Sequence, residues 1–141
     1  MNKNNNLELS LNKLFATSGY KMIDVSSKDV THRKALAMGE IILGSQTIEM
    51  IKAKKMPKGD PLSIAEVSGI NGAKKTSELI PLCHPLPLEH ISLHTEVDEK
   101  KKSIIVYCLV SANSKTGVEM EALSGVSSAL LAIYDLSKII E

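Results

Sequence analysis

The sequence predicts an α+β domain, and three segments carry that expectation. Ile91, Leu93, Thr95 and Val97 alternate with His90, Ser92, His94 and Glu96, the period-two pattern of a half-buried strand. After a charged turn at residues 98–103, residues 104–110 are continuously apolar and supply a partner strand, with cover expected on both faces. Val118, Ala122, Val126, Ala129, Leu130, Ile133 and Ile140 then recur at helical spacing and form a core stripe.

The earlier elements follow in order. Residues 22–25 are short and extended. Residues 35–43 read as a strand, although their alanines and methionine leave a helix open, and residues 47–55 as a helix. Asp60-Pro61 opens another helix, because Asp60 can accept from free amides and Pro61 suits the first helical position. That helix is expected to run to about residue 78 and stop before Pro81. Gly69 and Gly72 inside it signal close approach of another backbone. Thr116 and Glu119 have capping-box spacing at the start of the last helix. Glu121, Ser128 and Asp135, seven apart, line a second stripe there, with Lys138 three residues beyond Asp135.

A chain of 141 residues, 43% hydrophobic and 23% charged, has room for one core, expected at residues 21–141 behind a flexible, Asn-rich arm at 1–20. A net charge of +1 offers no case for nucleic-acid binding, and no apolar run has membrane-spanning length. The polar start is no signal peptide. Cys83 and Cys108 make no disulfide framework, so reduced thiols and a cytoplasmic location are expected.

Five groups of residues invite a chemical reading, most of them beside a plainer one. Cys83-His84 lies between Pro81 and Pro85, which stiffen the segment. Neighbours in an extended chain point to opposite sides and form no dyad, so His84 reads as a donor to substrate with Cys83 as lining; the plainer reading is a structural turn with an inert buried thiol. His84, His90 and His94 with Cys83 lack the spacing of a zinc site, and no metal is expected. Lysines 52, 54, 55, 58, 74 and 75 form either an anion cradle or a solvated surface, and no Walker loop or Gly-x-Gly-x-x-Gly is present. Asp135 and Lys138 form either an acid/base couple or a surface ion pair. Glu119 and Glu121 straddle Met120, and only Glu121 shares the Asp135 stripe, so their roles differ.

Together these segments resemble the cyclic pyranopterin monophosphate synthase family, the second step of molybdenum-cofactor biosynthesis. The matching residues, in family order, are Met22-Ile23-Asp24-Val25-Ser26 with Thr31 and Arg33, Lys58-Gly59-Asp60, Gly69-Ile70 with residues 73–86, residues 115–123, and Ile133-Tyr134-Asp135 with Lys138. The resemblance implies a ferredoxin-like α+β fold, an antiparallel sheet packed against helices. It implies a hexamer built as a trimer of dimers, no cofactor and no metal. It also implies a small nucleotide substrate, a 3′,8-cyclised dihydro-GTP handed over by a radical S-adenosylmethionine cyclase and converted to cyclic pyranopterin monophosphate with release of pyrophosphate. Asp135 and Lys138 would then carry the acid/base chemistry with help from Lys58. Leu82, Cys83, His84, Met120, Glu119 and Glu121 would contact substrate, and Arg33, Lys74 and Lys75 would hold the triphosphate. The family continues into a further strand and a Lys/Gly/Ser-rich tail, whereas this sequence stops at Ile139-Ile140-Glu141, so an open sheet edge is expected. A degenerate relative that only binds a nucleotide or a partner, or a generic assembly domain, would instead leave these charged residues scattered or their pocket uncharged.

Overall fold

The computed structural model describes residues 3–17 and 19–141. Three strands, β1 (Thr31–Ile42), β2 (His90–Asp98) and β3 (Ser103–Ser114), form an antiparallel sheet in the order β1-β3-β2. Five helices accompany them among the described residues: α1 (Lys3–Thr17), α2 (Ser45–Lys52), α3 (Pro61–Lys74), the single turn α4 (Thr76–Leu79) and α5 (Glu119–Ser137). The succession β1-α3-β2-β3-α5 with β3 central is the ferredoxin-like arrangement through its fifth element. Among the described residues, the outer edge of β1 pairs with no strand.

β2 and β3 join through a charged turn in which Asp98 Oδ1 accepts from the Lys100 and Lys101 amides, both at 3.0 Å. The register then places Val110 between Ala35 and Ile91, and Cys108 between Ala37 and Leu93. One face of this sheet is the core: Ile104, Val106, Cys108, Val110 and Ala112 are fully buried, with α5 packed on β1 and β3 and α3 on β2. The expectation of cover on both faces of β3 does not hold within one chain, because Ile105, Tyr107 and Leu109 alternate out of the core and stay half-buried. Leu36 and Met38 of β1 extend that open face.

α3 starts where Asp60 predicts, its carboxylate accepting from the Leu62 amide at 3.2 Å. It ends earlier than expected. The chain leaves helical geometry at Lys75, and α4 resumes for one turn before Ile80. The two glycines explain the tight packing of α3 on α5. A Cβ on Gly69 would come within 2.9 Å of the Gly125 carbonyl oxygen, and one on Gly72 within 2.5 Å of Ser128 Cβ.

The stripe on α5 is as the sequence predicts, with Val118, Ala122, Val126, Ala129 and Ile133 buried and Leu130 and Ile140 packed at its margin. The capping box does not form. The N-cap is Val118 without a side-chain bond, Ser114 Oγ donates to the Thr116 carbonyl, and the Glu119 carboxylate folds back against Gly117. At the amino end, α1 lies within the residues expected as a flexible arm, with residues 5–17 exposed.

Candidate functional site

The residues singled out by sequence gather at two places, one at each end of α5. At its start lies a pocket of about 240 Å³. Leu82, Cys83 and His84 form one wall, Met120, Glu119 and Glu121 a second. Ile23, Val25 and Lys28 supply a third.

The Cys83-His84 wall is not extended as expected. The Cys83 amide donates to the Ile80 carbonyl at 3.0 Å, closing a turn with Pro81 at its second position, where a fixed φ is favoured. The turn brings both side chains to the pocket instead of splaying them. His84 Nε2 stands 2.7 Å from the Ile23 carbonyl oxygen, which can only accept, so Nε2 carries the proton. The main chain thus occupies Nε2, and Nδ1 is the ring nitrogen left for a bound molecule. Burial pushes the Cys83 thiol above its ordinary range and the Glu121 charge adds to this, which disfavours the thiolate.

Glu121 is the one charged residue of this pocket that is fully buried, at 4% exposure. Its Oε2 has no hydrogen-bond partner among the described residues. Burial holds the carboxyl above the usual carboxylate range, opposed by its backbone hydrogen bond and reinforced by Glu119. The folded state is therefore the better proton binder, and stability falls as pH rises from the ordinary value of 4.5 through the raised native one. Glu121→Gln is expected to stabilise the fold by about 1 kcal/mol at neutral pH and to do little below about pH 4. Thermal unfolding at the two pH values checks this; destabilisation at both would mean that the carboxylate is well partnered.

At the other end of α5, Asp135 lies between two ammonium groups. Lys138 Nζ is 2.8 Å from Oδ1, and Lys58 Nζ is 3.3 Å from Oδ2 and 3.2 Å from the Asp135 carbonyl oxygen. All three side chains are about half-exposed. Lys58 reaches this point because the loop after α2 is pinned in the core by Met56 and turns at Gly59, whose φ is +101°. Hydrogen bonds from Lys138 and then Lys58 hold the Asp135 carboxyl below its usual range. Asp135 in turn raises Lys138.

Asp135 lies fourteen residues beyond Glu121 on the same helix, about 21 Å along the axis. The helix stripe that joins them in sequence holds them apart in space. Within one chain, then, Asp135, Lys138 and Lys58 converge, and His84 lies with the other cluster.

The remaining candidates are dispersed. Lys75 pairs with Glu78 at 3.7 Å and Lys52 with Glu99 at 2.6 Å. Lys74 closes α3 beside a shallow cleft with Leu88, Glu89 and His90. Arg33, half-buried on β1, keeps a buried Nε without a partner among the described residues. His94 stacks on Tyr107 with ring centroids 6.4 Å apart and approaches Glu96 at 3.4 Å. No group of three metal-ligating side chains occurs among the described residues.

Sequence reasoning gave no part in the pocket to Lys28, Val25, Thr116 or Lys115. Val25 and the residues 115–117 lie within segments that carry the resemblance; nothing in the spacing of Lys28 marks it.

Known proteins resemble this chain over most of its length. Over 123 residues the chain is 51% identical to a probable cyclic pyranopterin monophosphate synthase of Thermococcus kodakarensis, covering 87% of this chain and 78% of that one. Over 120 residues it is 45% identical to the cyclic pyranopterin monophosphate synthase of Dinoroseobacter shibae, covering 85% and 76%. The MoaC family model matches residues 22–141, a span that begins at the pocket's third wall and includes both ends of α5. On that match and on these relatives, the chain belongs to the MoaC family.

Proposed function

We propose that this chain is a cyclic pyranopterin monophosphate synthase acting in molybdenum-cofactor biosynthesis. It converts a 3′,8-cyclised dihydro-GTP to cyclic pyranopterin monophosphate and releases pyrophosphate, which makes it a lyase of the phosphorus–oxygen type. The observation that carries the reading is Asp135 held between Lys58 and Lys138, a preassembled acceptor and two donors, at positions where the resemblance expects the acid/base group.

The chemistry needs a proton shuttle for the ring rearrangement and a charge clamp for cyclisation. In the latter, a substrate hydroxyl attacks the innermost phosphorus, its proton passes to a base, and the bond to the leaving pyrophosphate breaks. Asp135, kept ionised, is the acceptor. Lysine ammonium groups stabilise charge that grows on the leaving oxygens, with Arg33, Lys74 and Lys75 as further candidates. In the other cluster, the unpartnered oxygen of Glu121 suits the adjacent N–H donors of a guanine-derived ring.

The 21 Å between the clusters leads to a second part of the proposal: the complete site is shared by two copies, one bringing the start of α5 and the other its end. A dimer with two such sites, repeated three times, is a hexamer. The open face of the sheet, with Leu36, Met38 and Leu109, offers apolar area for assembly. The substrate is supplied by a radical S-adenosylmethionine cyclase, and the reaction is placed in the cytoplasm.

The test is conversion of the cyclised dihydro-GTP, followed through pyrophosphate and the oxidised pterin. Conversion by the chain supports the synthase, and none refutes it. Mixing His84→Ala and Lys138→Ala chains, each inactive alone, should restore roughly a quarter of the wild-type rate if two-fold pairs re-form at random. No recovery from assembled mixtures would refute the shared site.

A further inference from the structure

We infer that Lys115 is a positioning residue of the pocket at the start of α5: with His84 it latches residues 22–28 across the pocket as a strap, and the strap presents the Lys28 ammonium to a bound anion. The identity of that anion rests on the proposed function; the latch does not.

Residues 21–30 contain no strand or helix, and no ladder joins them to the sheet. Their internal hydrogen bonds are local. The Ser26 amide donates to Asp24 Oδ1 at 2.8 Å, and the Lys28 amide to the Val25 carbonyl at 3.1 Å. Two side chains tie this segment to the body of the domain. His84 Nε2 donates to the Ile23 carbonyl at 2.7 Å, and Lys115 Nζ to the Ser26 carbonyl at 2.8 Å. The second is charge-assisted, the stronger class of hydrogen bond. The Asp24 carboxyl lies close enough to feel the Lys115 ammonium, which adds to the Ser26 hydrogen bonds in holding it below its usual range.

The placement of the two latches links the strap to both other walls. His84 belongs to the turn after α4. Lys115 follows the last residue of β3 and precedes Thr116 and Gly117, which themselves line the pocket at the entry to α5. Held at both points, Ile23 and Val25 cover one side of the pocket, and Lys28 lines it as well. No carboxylate of the described residues forms an ion pair with Lys28, so the pocket has a cation to offset Glu119 and Glu121. Without the Lys115 bond the strap would hang from His84 alone, and ligand would have to order it on binding, a cost that appears in affinity.

Hydrogen–deuterium exchange on the ligand-free full-length chain tests the latch. Lys115→Met should speed exchange of the amides at 23–28 about tenfold, while Lys115→Arg, which keeps a charged donor, stays near wild type. In turnover, Lys115→Met should raise KM for the cyclised dihydro-GTP about tenfold with kcat changed far less, and Lys28→Met should raise KM without altering exchange. Unchanged exchange at 23–28 in Lys115→Met, or an equal rise throughout the domain, would overturn the inference. If Lys115→Met does not fold, the wild-type chain decides: protection of the Ser26 and Lys28 amides of about tenfold or more supports the strap, and free-peptide rates overturn it. A wild-type chain that converts no substrate would refute the proposed function, while exchange would still decide the latch.

Discussion

Lys138→Ala is expected to lower kcat/KM for the cyclised dihydro-GTP by about 10²–10⁴-fold, the range spanned by a lost general acid or base. The fold should be unaffected, because the Lys138–Asp135 contact is half-exposed and pairs of that kind add little to stability. The argument concerns proton inventory. Asp135 accepts hydrogen bonds from two ammonium groups and stays ionised well into the acid range. Lys138, held protonated by Asp135, is the donor one turn away. Removing it leaves Asp135 with Lys58 at 3.3 Å, a charge partner on a longer contact. Lys138→Arg separates the two duties of the residue. A guanidinium keeps the positive charge and can hold phosphate, but it does not give up its proton at accessible pH. Arginine should therefore restore substrate affinity more than turnover. The two rates compared at saturating substrate, with circular dichroism as the folding control, settle the matter. Wild-type turnover in Lys138→Ala would remove the residue from the chemistry.

The largest effect on stability is expected from Gly72→Ala, a loss of about 2 kcal/mol seen as a fall in Tm of several degrees. Alanine would ordinarily favour a helix by nearly 1 kcal/mol over glycine. Here the added methyl would meet Ser128 Cβ at 2.5 Å and the Ser124 carbonyl oxygen at 2.9 Å. Neither is the free end of a flexible side chain, so α3 and α5 must separate. Their contact is also what sets the height of α5 over the sheet, with Gly125 against Cys108 one turn earlier. Pairing the change with Ser128→Gly should recover part of the loss and not all of it, since the Ser124 carbonyl remains. Full additivity of the two changes would show that the helices do not meet as described.

The sequence made β2 and α5 legible because each follows one period. The alternation of 91–97 and the stripe from Val118 to Ile133 reappear as burial patterns. Points where a local contact outcompetes a pattern were not legible. Thr116 and Glu119 have the right spacing for a box, but Ser114 takes the Thr116 carbonyl and Glu119 turns to Gly117. The apolar run of β3 suggested cover on both faces, which a single chain does not supply. The site was half legible for a similar reason. Residue types and order pointed to the segments that line the pocket and hold Asp135, but seven-residue spacing along α5 says only that Glu121 and Asp135 share a face. It is silent on the length of helix between them. Lys28 and Lys115 were missed because Lys115 bonds a main-chain carbonyl and Lys28 reaches the pocket along a loop path, and neither leaves a periodic trace.

The register of the central strand has a consequence for how this chain comes into being. β3 pairs with β2 across a short turn, but its other partner, β1, lies about sixty residues upstream at the nearest pair, Ile42 and Ser103. At synthesis rates of about 5–20 residues per second, β1 waits roughly 3–12 seconds for that partner to be made. During that interval Leu36 and Met38 stand on an unpaired strand, and the hairpin that will receive it does not exist. Birth of this fold is therefore a matter of timing, with a nascent apolar strand that a ribosome-bound chaperone is well placed to shield.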